Sequence, residues 1–429
     1  MTRQKHLKQL VRARMEKTGE RYAAARRHII TNTSAPESTP APHRPGSVPA
    51  AAALRALLSS AGVVDPRTRE PFSEAMVFGI AGGVGAGVFS FYYEKPEFSS
   101  FYVAGRHLWQ DDLEYLKRAA ARFGVATKVW ESGSARAAEK QLVEALARGP
   151  VIAWVDMGHL PHRAMPASWS GGGYHVIVIY GTGGGSASIG DLADEPIDVP
   201  LEQLATARGR IRKQKHRLLA LEGQPGALDL DKAILDGIHA SATGLVAGRM
   251  KNFTVDSFGT WAGQLEGSKA KDSWSRMFPP GPRLWRGLTS VYDFIENYGT
   301  GGGLSRPLMA EFLEEAADAT GDRRLRPLAE RYAALGRGWS NVADQALPGD
   351  VPEFRTAKEL LDRKAELVLS GGEGAGEIWR ELDRLEHRPT SDFPISPERA
   401  DALRGRLAPL VKDLCEKERA AAAALGELT

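Results

Sequence analysis

The sequence predicts an α+β protein that continues into an all-helical region, on three observations. Helical periodicity opens the main body after residue 50, a cluster of short β-branched runs follows between residues 151 and 221, and every periodic segment after Gly223 is helical. Helices followed by neighbouring strands are the order of an α+β domain with a mostly antiparallel sheet.

The elements follow in chain order. Leu7, Leu10, Val11 and Met15 stand at helical spacing, Thr18-Gly19-Glu20 interrupts, and residues 21–30 can resume a helix, so residues 1–30 read as a basic helical hairpin. Residues 31–49 hold Ser, Thr, Ala and five prolines and read as a flexible linker. That leaves the hairpin tethered to the body and outside its core. Ala50–Ser60 is a helix stopped by Gly62, and Ser73 is the N-cap of a second helix, Glu74–Phe78. Met76 stands where a capping box needs Glu or Gln. Strands are expected at Val88–Tyr93, Thr127–Trp130, Val151–Val155, from His175, at Ser186–Gly190 and near Arg217–Leu221. Helices are expected at Asp112–Phe123 and Ala135–Ala147, the latter capped by Ser134. Beyond Gly223, residues 227–250, 286–298, 307–319, 324–336, 354–369, 373–386 and 396–426 carry helical periodicity. The domain expectation is therefore hairpin 1–30, linker 31–49, α+β domain 50–223 and helical domain 224–429.

Bulk properties narrow the class. A chain of 429 residues with 42% apolar content can build two or three cores. No apolar run approaches the length that spans a bilayer, and the basic N-terminus lacks the apolar stretch of a secretory signal. The single cysteine, Cys415, excludes an internal disulfide framework and a zinc site built on several thiolates. A cytoplasmic location is the default expectation, with no membrane partner. Residues 1–30 carry nine Lys/Arg against two Glu, or +7 of a chain total of +3, so the remainder is mildly acidic. The hairpin can therefore be a phosphate-gripping arm for weak nucleic-acid contact, a dock for an acidic partner, or a solvated arm.

The stretch with most chemistry in it is Gly171-Gly172-Gly173-Tyr174-His175, which opens the β-branched run Val176–Tyr180. The next strand candidate, Ser186–Gly190, ends in Asp191. Two neighbouring antiparallel strands would set the imidazole beside the carboxylate, the base-and-orienter half of a nucleophilic triad. The bland alternative is a core histidine bonded to a carboxylate. Residues 79–87 hold five glycines, but they follow a helix and precede a strand, which fits a close-packed bend and not a dinucleotide cradle. Asp156, His159 and His162 are spaced by three, yet Pro161 breaks any helix that would align them for a metal. No metal or cofactor is expected. Gly299–Gly303 reads as a loop that stops a helix, and Ala420–Ala424 as a strong helix former.

Several weak motifs in a fixed order resemble the butirosin biosynthesis protein H family over roughly residues 43 to 400. They are Pro45-Gly46 with Ala53-Leu54-Arg55-Ala56-Leu57-Leu58, Ser73–Gly79 with its glycine run, Val155-Asp156 with Leu160-Pro161, and His175 opening its strand. Trp261-Ala262, Ser273-Trp274 with Phe278, and Gly299–Gly303 before Phe312–Ala316 extend the likeness. The resemblance implies a papain-like, cysteine-peptidase-like N-terminal domain joined to a helical C-terminal domain. It implies acyl transfer, in which a cysteine at a helix N-terminus takes an aminoacyl group from a carrier-protein thioester and hands it to an amine. An acyl carrier protein and an amine substrate are the implied partners. His175 would be the base and Asp191 its orienter. Ungapped alignment, however, puts Pro49 where the family's cysteine belongs. The nearest hydroxyl is Ser47, a candidate nucleophile if a base activates it. Otherwise His175 and Asp191 promote direct attack by an amine, or the chain is a pseudoenzyme that keeps the fold for binding. Cys415, in the last helix, excludes a cysteine peptidase.

Overall fold

The computed structural model describes residues 3–32, 43–95, 97–106, 112–167, 170–171, 173–248, 250–267 and 272–428. In chain order, α1 (Arg3–Thr18) and α2 (Tyr22–Asn32) are followed by α3 (Pro49–Ser60), α4 (Glu74–Ile80), β1 (Val84–Tyr93) and β2 (Phe98–Arg106). Then come α5 (Asp112–Arg122), β3 (Ala126–Trp130), α6 (Ala135–Leu146), β4 (Val151–Asp156), β5 (Tyr174–Gly183) and β6 (Ser186–Gly190). β7 (Ile197–Pro200), α7 (Leu201–Gly209) and β8 (Leu218–Glu222) complete the mixed region. The rest is helical: α8 (Leu230–Val246), α9 (Asp256–Leu265), α10 (Trp274–Met277), α11 (Pro282–Glu296), α12 (Arg306–Thr320), α13 (Leu325–Ala346), α14 (Pro352–Leu369), α15 (Ala375–Glu386) and α16 (Pro397–Gly426). The predicted α+β class with an antiparallel sheet and an all-helical continuation is therefore what the chain adopts. Sequence reasoning missed β2, β7, α7, α9 and α10.

Two compact units form, and neither is one continuous stretch. Unit 1 takes Met1–Ala81, Asp112–Ala233 and Lys364–Trp379; unit 2 takes Gly82–Asp111, Ile234–Arg363 and Arg380–Thr429.

Unit 1 is built on a six-stranded sheet in the order β3-β8-β4-β5-β6-β7, with every pair antiparallel. β4 lies inside it and all six of its residues are buried, as its unbroken apolar run requires. α3 packs on the sheet with residues Pro49–Leu58 buried. The expected cap of α4 forms, Ser73 Oγ accepting from Met76 N at 2.9 Å. Two expectations need correction here. The N-terminal hairpin is not merely tethered. Val11, Tyr22 and Ala25 are buried in a cluster with Leu7, Met15, Ile29 and Leu369. Arg26, 1% exposed, donates to Asp194 Oδ1 and to the carbonyls of Gly46 and Leu192. Apolar residues on both helices make a face that gains by burial, and Arg26 gives that face a fixed seat. The proline-rich segment divides. Residues 33–42 lie outside the described ones, while residues 43–49 belong to unit 1. There His43 bonds the Tyr180 hydroxyl (2.9 Å) and the Ala193 carbonyl (3.0 Å).

Unit 2 joins the helices to the antiparallel β1–β2 hairpin, so the glycine run feeds a strand from Val84 onward. Phe101 on β2 packs against Trp261 and Trp274 at ring separations of 4.9 and 5.0 Å. The fully buried Arg306 pairs with the fully buried Glu418 at 2.6 Å. Gly299–Gly303 does more than end a helix. A Cβ on Gly303 would sit 2.9 Å from the Gly336 carbonyl oxygen, and Leu304 and Ser305 follow with φ of 56° and 65°.

Candidate site around Asp191

His175 is the second residue of β5 and pairs with Val155 on β4. The β5–β6 register sets Val178 opposite Gly190, so Asp191, one residue on, comes beside Ile177. His175 shares the face of Ile177 and is the diagonal neighbour of Asp191, within reach of a long side chain. His175 Nε2 lies 2.5 Å from Asp191 Oδ1. So short a contact needs a donor, which puts the proton on Nε2 and leaves Nδ1 as the acceptor nitrogen. Among the described residues Nδ1 has no hydrogen-bond partner.

Asp191 has further partners that sequence reasoning did not assign to it. Arg163 grips it as a fork, with Nε 2.8 Å from Oδ2 and Nη2 2.8 Å from Oδ1, and His162 Nε2 donates to Oδ2 at 2.7 Å. The Asp191 side chain is fully buried. Burial alone would raise its pKa. The Arg163 guanidinium and the two imidazoles outweigh that and hold the carboxyl well below the usual carboxylate range. His175 moves down as well. Burial is the main cause, and the Arg163 Nη2 2.9 Å from its Nε2 adds to it against the pull of Asp191. The imidazole is therefore neutral at neutral pH.

Short turns aim these groups. Pro161 starts a single 3-10 turn, Pro161–Arg163, which ends at Ala164 in the left-handed region with φ 46°. Asp156 ties the preceding turn, accepting from Gly158 N at 3.0 Å and Gly171 N at 2.5 Å. A Cβ on Gly173 would lie 2.7 Å from Asp156 Oδ1, so a larger residue there would have to displace that carboxyl. His159 bonds the Ser170 hydroxyl, which also accepts from Arg210. Asp156, His159 and His162 thus have three different sets of partners. Among the described residues no group of three or more His, Cys, Asp or Glu is placed to hold a metal ion.

Ser47 lies elsewhere in unit 1. Pro49 is the first residue of α3, and the chain before it turns its N–H groups on Glu74 from the first turn of α4. Ser47 N donates to Glu74 Oε1 and Oε2 at 2.8 and 3.0 Å, and Val48 N to Oε1 at 2.8 Å. Glu74 and Ser47 are both buried. The Ser47 hydroxyl makes no hydrogen bond to His175 among the described residues. The small cavity beside α3, lined by Pro49, Ala52, Val176, Tyr180 and Asp191 among others, measures about 10 Å³ and admits one water at most. Cys415 is buried on α16 in unit 2, where burial pushes its thiol pKa up and Sγ donates to the Val255 carbonyl. The structure thus brings His175 and Asp191 together and leaves Ser47 apart. It adds Arg163, His162 and Glu74. No local signal marked the first two, because the carboxylate they meet stands 28 and 29 positions along the chain.

Residues 49–192 match the family model Butirosin biosynthesis protein H, N-terminal, and residues 201–367 match Domain of unknown function (DUF4872). No curated protein matches the chain. No helix among the described residues is long and apolar enough to cross a membrane. The two matches stand in one order on one chain, directly after one another, and the protein belongs to the butirosin biosynthesis protein H-like family that joins these two domains.

Proposed function

We propose that this chain is a catalytically silent member of a biosynthetic, acyltransferase-like family, using a papain-like fold to bind a partner and not to turn over a substrate. Family membership supports the acyltransferase-like ancestry. The observation that carries the silent reading is the Glu74 carboxyl on the Ser47 and Val48 N–H groups. In a helix-borne acyl-transfer site those N–H groups would face a thiolate or an oxyanion. Here an internal side chain occupies them, beside a proline that has no nucleophile. The adjoining cavity has no room for an acyl group. The basic α1–α2 hairpin is the surface proposed to recruit an acidic partner. Arg12, Arg14 and Arg26 already hold acidic side chains of unit 1, and Lys8 and Lys17 are the cations proposed to meet the partner.

One observation favours a second reading. A neutral imidazole with one nitrogen tied to a buried carboxylate and the other without a partner is what a general base requires. In that reading His175 takes a proton from an amine as it attacks a carrier-bound aminoacyl thioester, and the thiol leaves with a proton.

Aminoacyl thioesters offered with amine acceptors separate the two. The silent reading expects no turnover by wild type and no acyl adduct visible by mass spectrometry. Turnover by wild type that disappears in His175→Ala overturns it in favour of the direct-attack reading.

A further inference from the structure

Residues Lys364–Trp379 lie in the sequence between helical segments of unit 2, yet they fold into unit 1. They comprise the last turns of α14, a glycine loop and the start of α15. Three of their contacts fall on the two pieces of chain that make the Asp191 cluster. Gly372, at φ +86°, sits so close to the Pro161–Arg163 turn that a Cβ would lie 1.9 Å from the His162 carbonyl oxygen. Backbone meets backbone there, and only glycine permits it. Trp379 Nε1 donates to the Arg163 carbonyl at 3.0 Å. The Leu369 carbonyl accepts from Asp194 N at 3.0 Å, three residues past Asp191. Lys364 Nζ lies 4.7 Å over the Trp379 ring, and Glu366 takes Arg12 of α1 at 2.8 Å.

We propose that residues 364–379 are a strap that positions Arg163 against Asp191 and His175, with Gly372 and Trp379 as the positioning residues. The strap acts through the backbone of the Pro161–Arg163 turn. It fixes the turn from which the guanidinium extends, and so fixes how far a positive charge stands from the His175 ring. The charged and titratable groups facing that ring are Asp191 after β6, and His162 and Arg163 on the turn. Asp156, on β4 opposite Tyr174 of β5, is engaged by the N–H groups of Gly158 and Gly171. This inference goes beyond the functional reading, because it holds whether or not the site turns over a substrate.

The test is the NMR titration of the His175 ring in the full-length chain. Arg163→Gln sets the scale by removing the cation, and the His175 midpoint should rise. Trp379→Phe keeps an aromatic ring for Lys364 and deletes the N–H that donates to the Arg163 carbonyl. It should move the midpoint in the same direction by about half a pH unit. Gly372→Ala should shift it likewise or fail to fold, and Trp379→Phe is the variant that decides. A folded Trp379→Phe protein with the wild-type His175 titration overturns the proposal, even if its melting temperature falls, because the strap would then be packing alone.

Discussion

Asp191 is the residue on which unit 1 concentrates its charge. A fully buried carboxylate is tolerable only when its oxygens are satisfied and its charge is opposed; here Arg163, His162 and His175 all bond its oxygens, and the Arg163 guanidinium opposes its charge. Removing the carboxylate leaves the Arg163 guanidinium facing an apolar interior and two imidazoles. Asp191→Asn is therefore expected to cost about 3–5 kcal/mol, read as a lower urea midpoint at pH 7 with an unchanged m-value. A loss below about 1 kcal/mol would mean that the cluster behaves as a surface pair. The sequence paired His175 with Asp191 because β-strand alternation and a short hairpin are local rules. It could not show Arg163, since nothing within a turn of that residue specifies a carboxylate 28 positions away.

At the scale of elements, the α1–α2 hairpin shows how a single side chain fixes a docking. α2 is short, and neither helix has an acidic residue in its first turn to support it. Their order in the structure rests on the buried Val11–Tyr22–Ala25 cluster and on Arg26, which reaches Asp194 and two carbonyls from a position 1% exposed. Arg26→Met keeps the apolar stem and removes the charge, leaving Asp194 and two carbonyls without their donor. It should release the hairpin. Limited proteolysis within Thr18–Arg21 should speed up at least tenfold while the rest of unit 1 stays resistant. Cleavage at the wild-type rate would show that the apolar face holds the hairpin without help. The linker reading failed at its C-terminal end for a related reason. Proline content describes the backbone's freedom, but His43 and Gly46 are held by contacts with residues some 20 to 150 positions away.

For the whole molecule, the buried histidines set the pH response. Burial pushes His43 down to about 4, and His175 also lies below its ordinary value. A histidine with a lower pKa folded than unfolded binds fewer protons folded, so stability is intact above about pH 6.5 and falls as pH drops through the interval below it. For His43 alone that amounts to roughly 3 kcal/mol by pH 4. Asp191 acts further down. Its contribution is present above the ordinary carboxylate value and disappears only as pH falls through its depressed folded value. Denaturation midpoints measured at pH 7.5 and 4.5 should therefore fall on acidification in wild type and fall less in His43→Gln. Equal losses in the two would show that His43 does not titrate as its burial requires. By itself the sequence determined the α+β class, most of the element boundaries, the family, and the pairing of His175 with Asp191. All of these follow from periodicity, capping and local strand pairing. Only the tertiary structure decided that β1–β2 folds with the helices, that residues 364–379 fold with the sheet, that Glu74 occupies the start of α3, and that Arg163 shares Asp191 with His175. Those outcomes depend on which apolar faces and buried charges find one another across distant parts of the chain, and no local pattern encodes that choice.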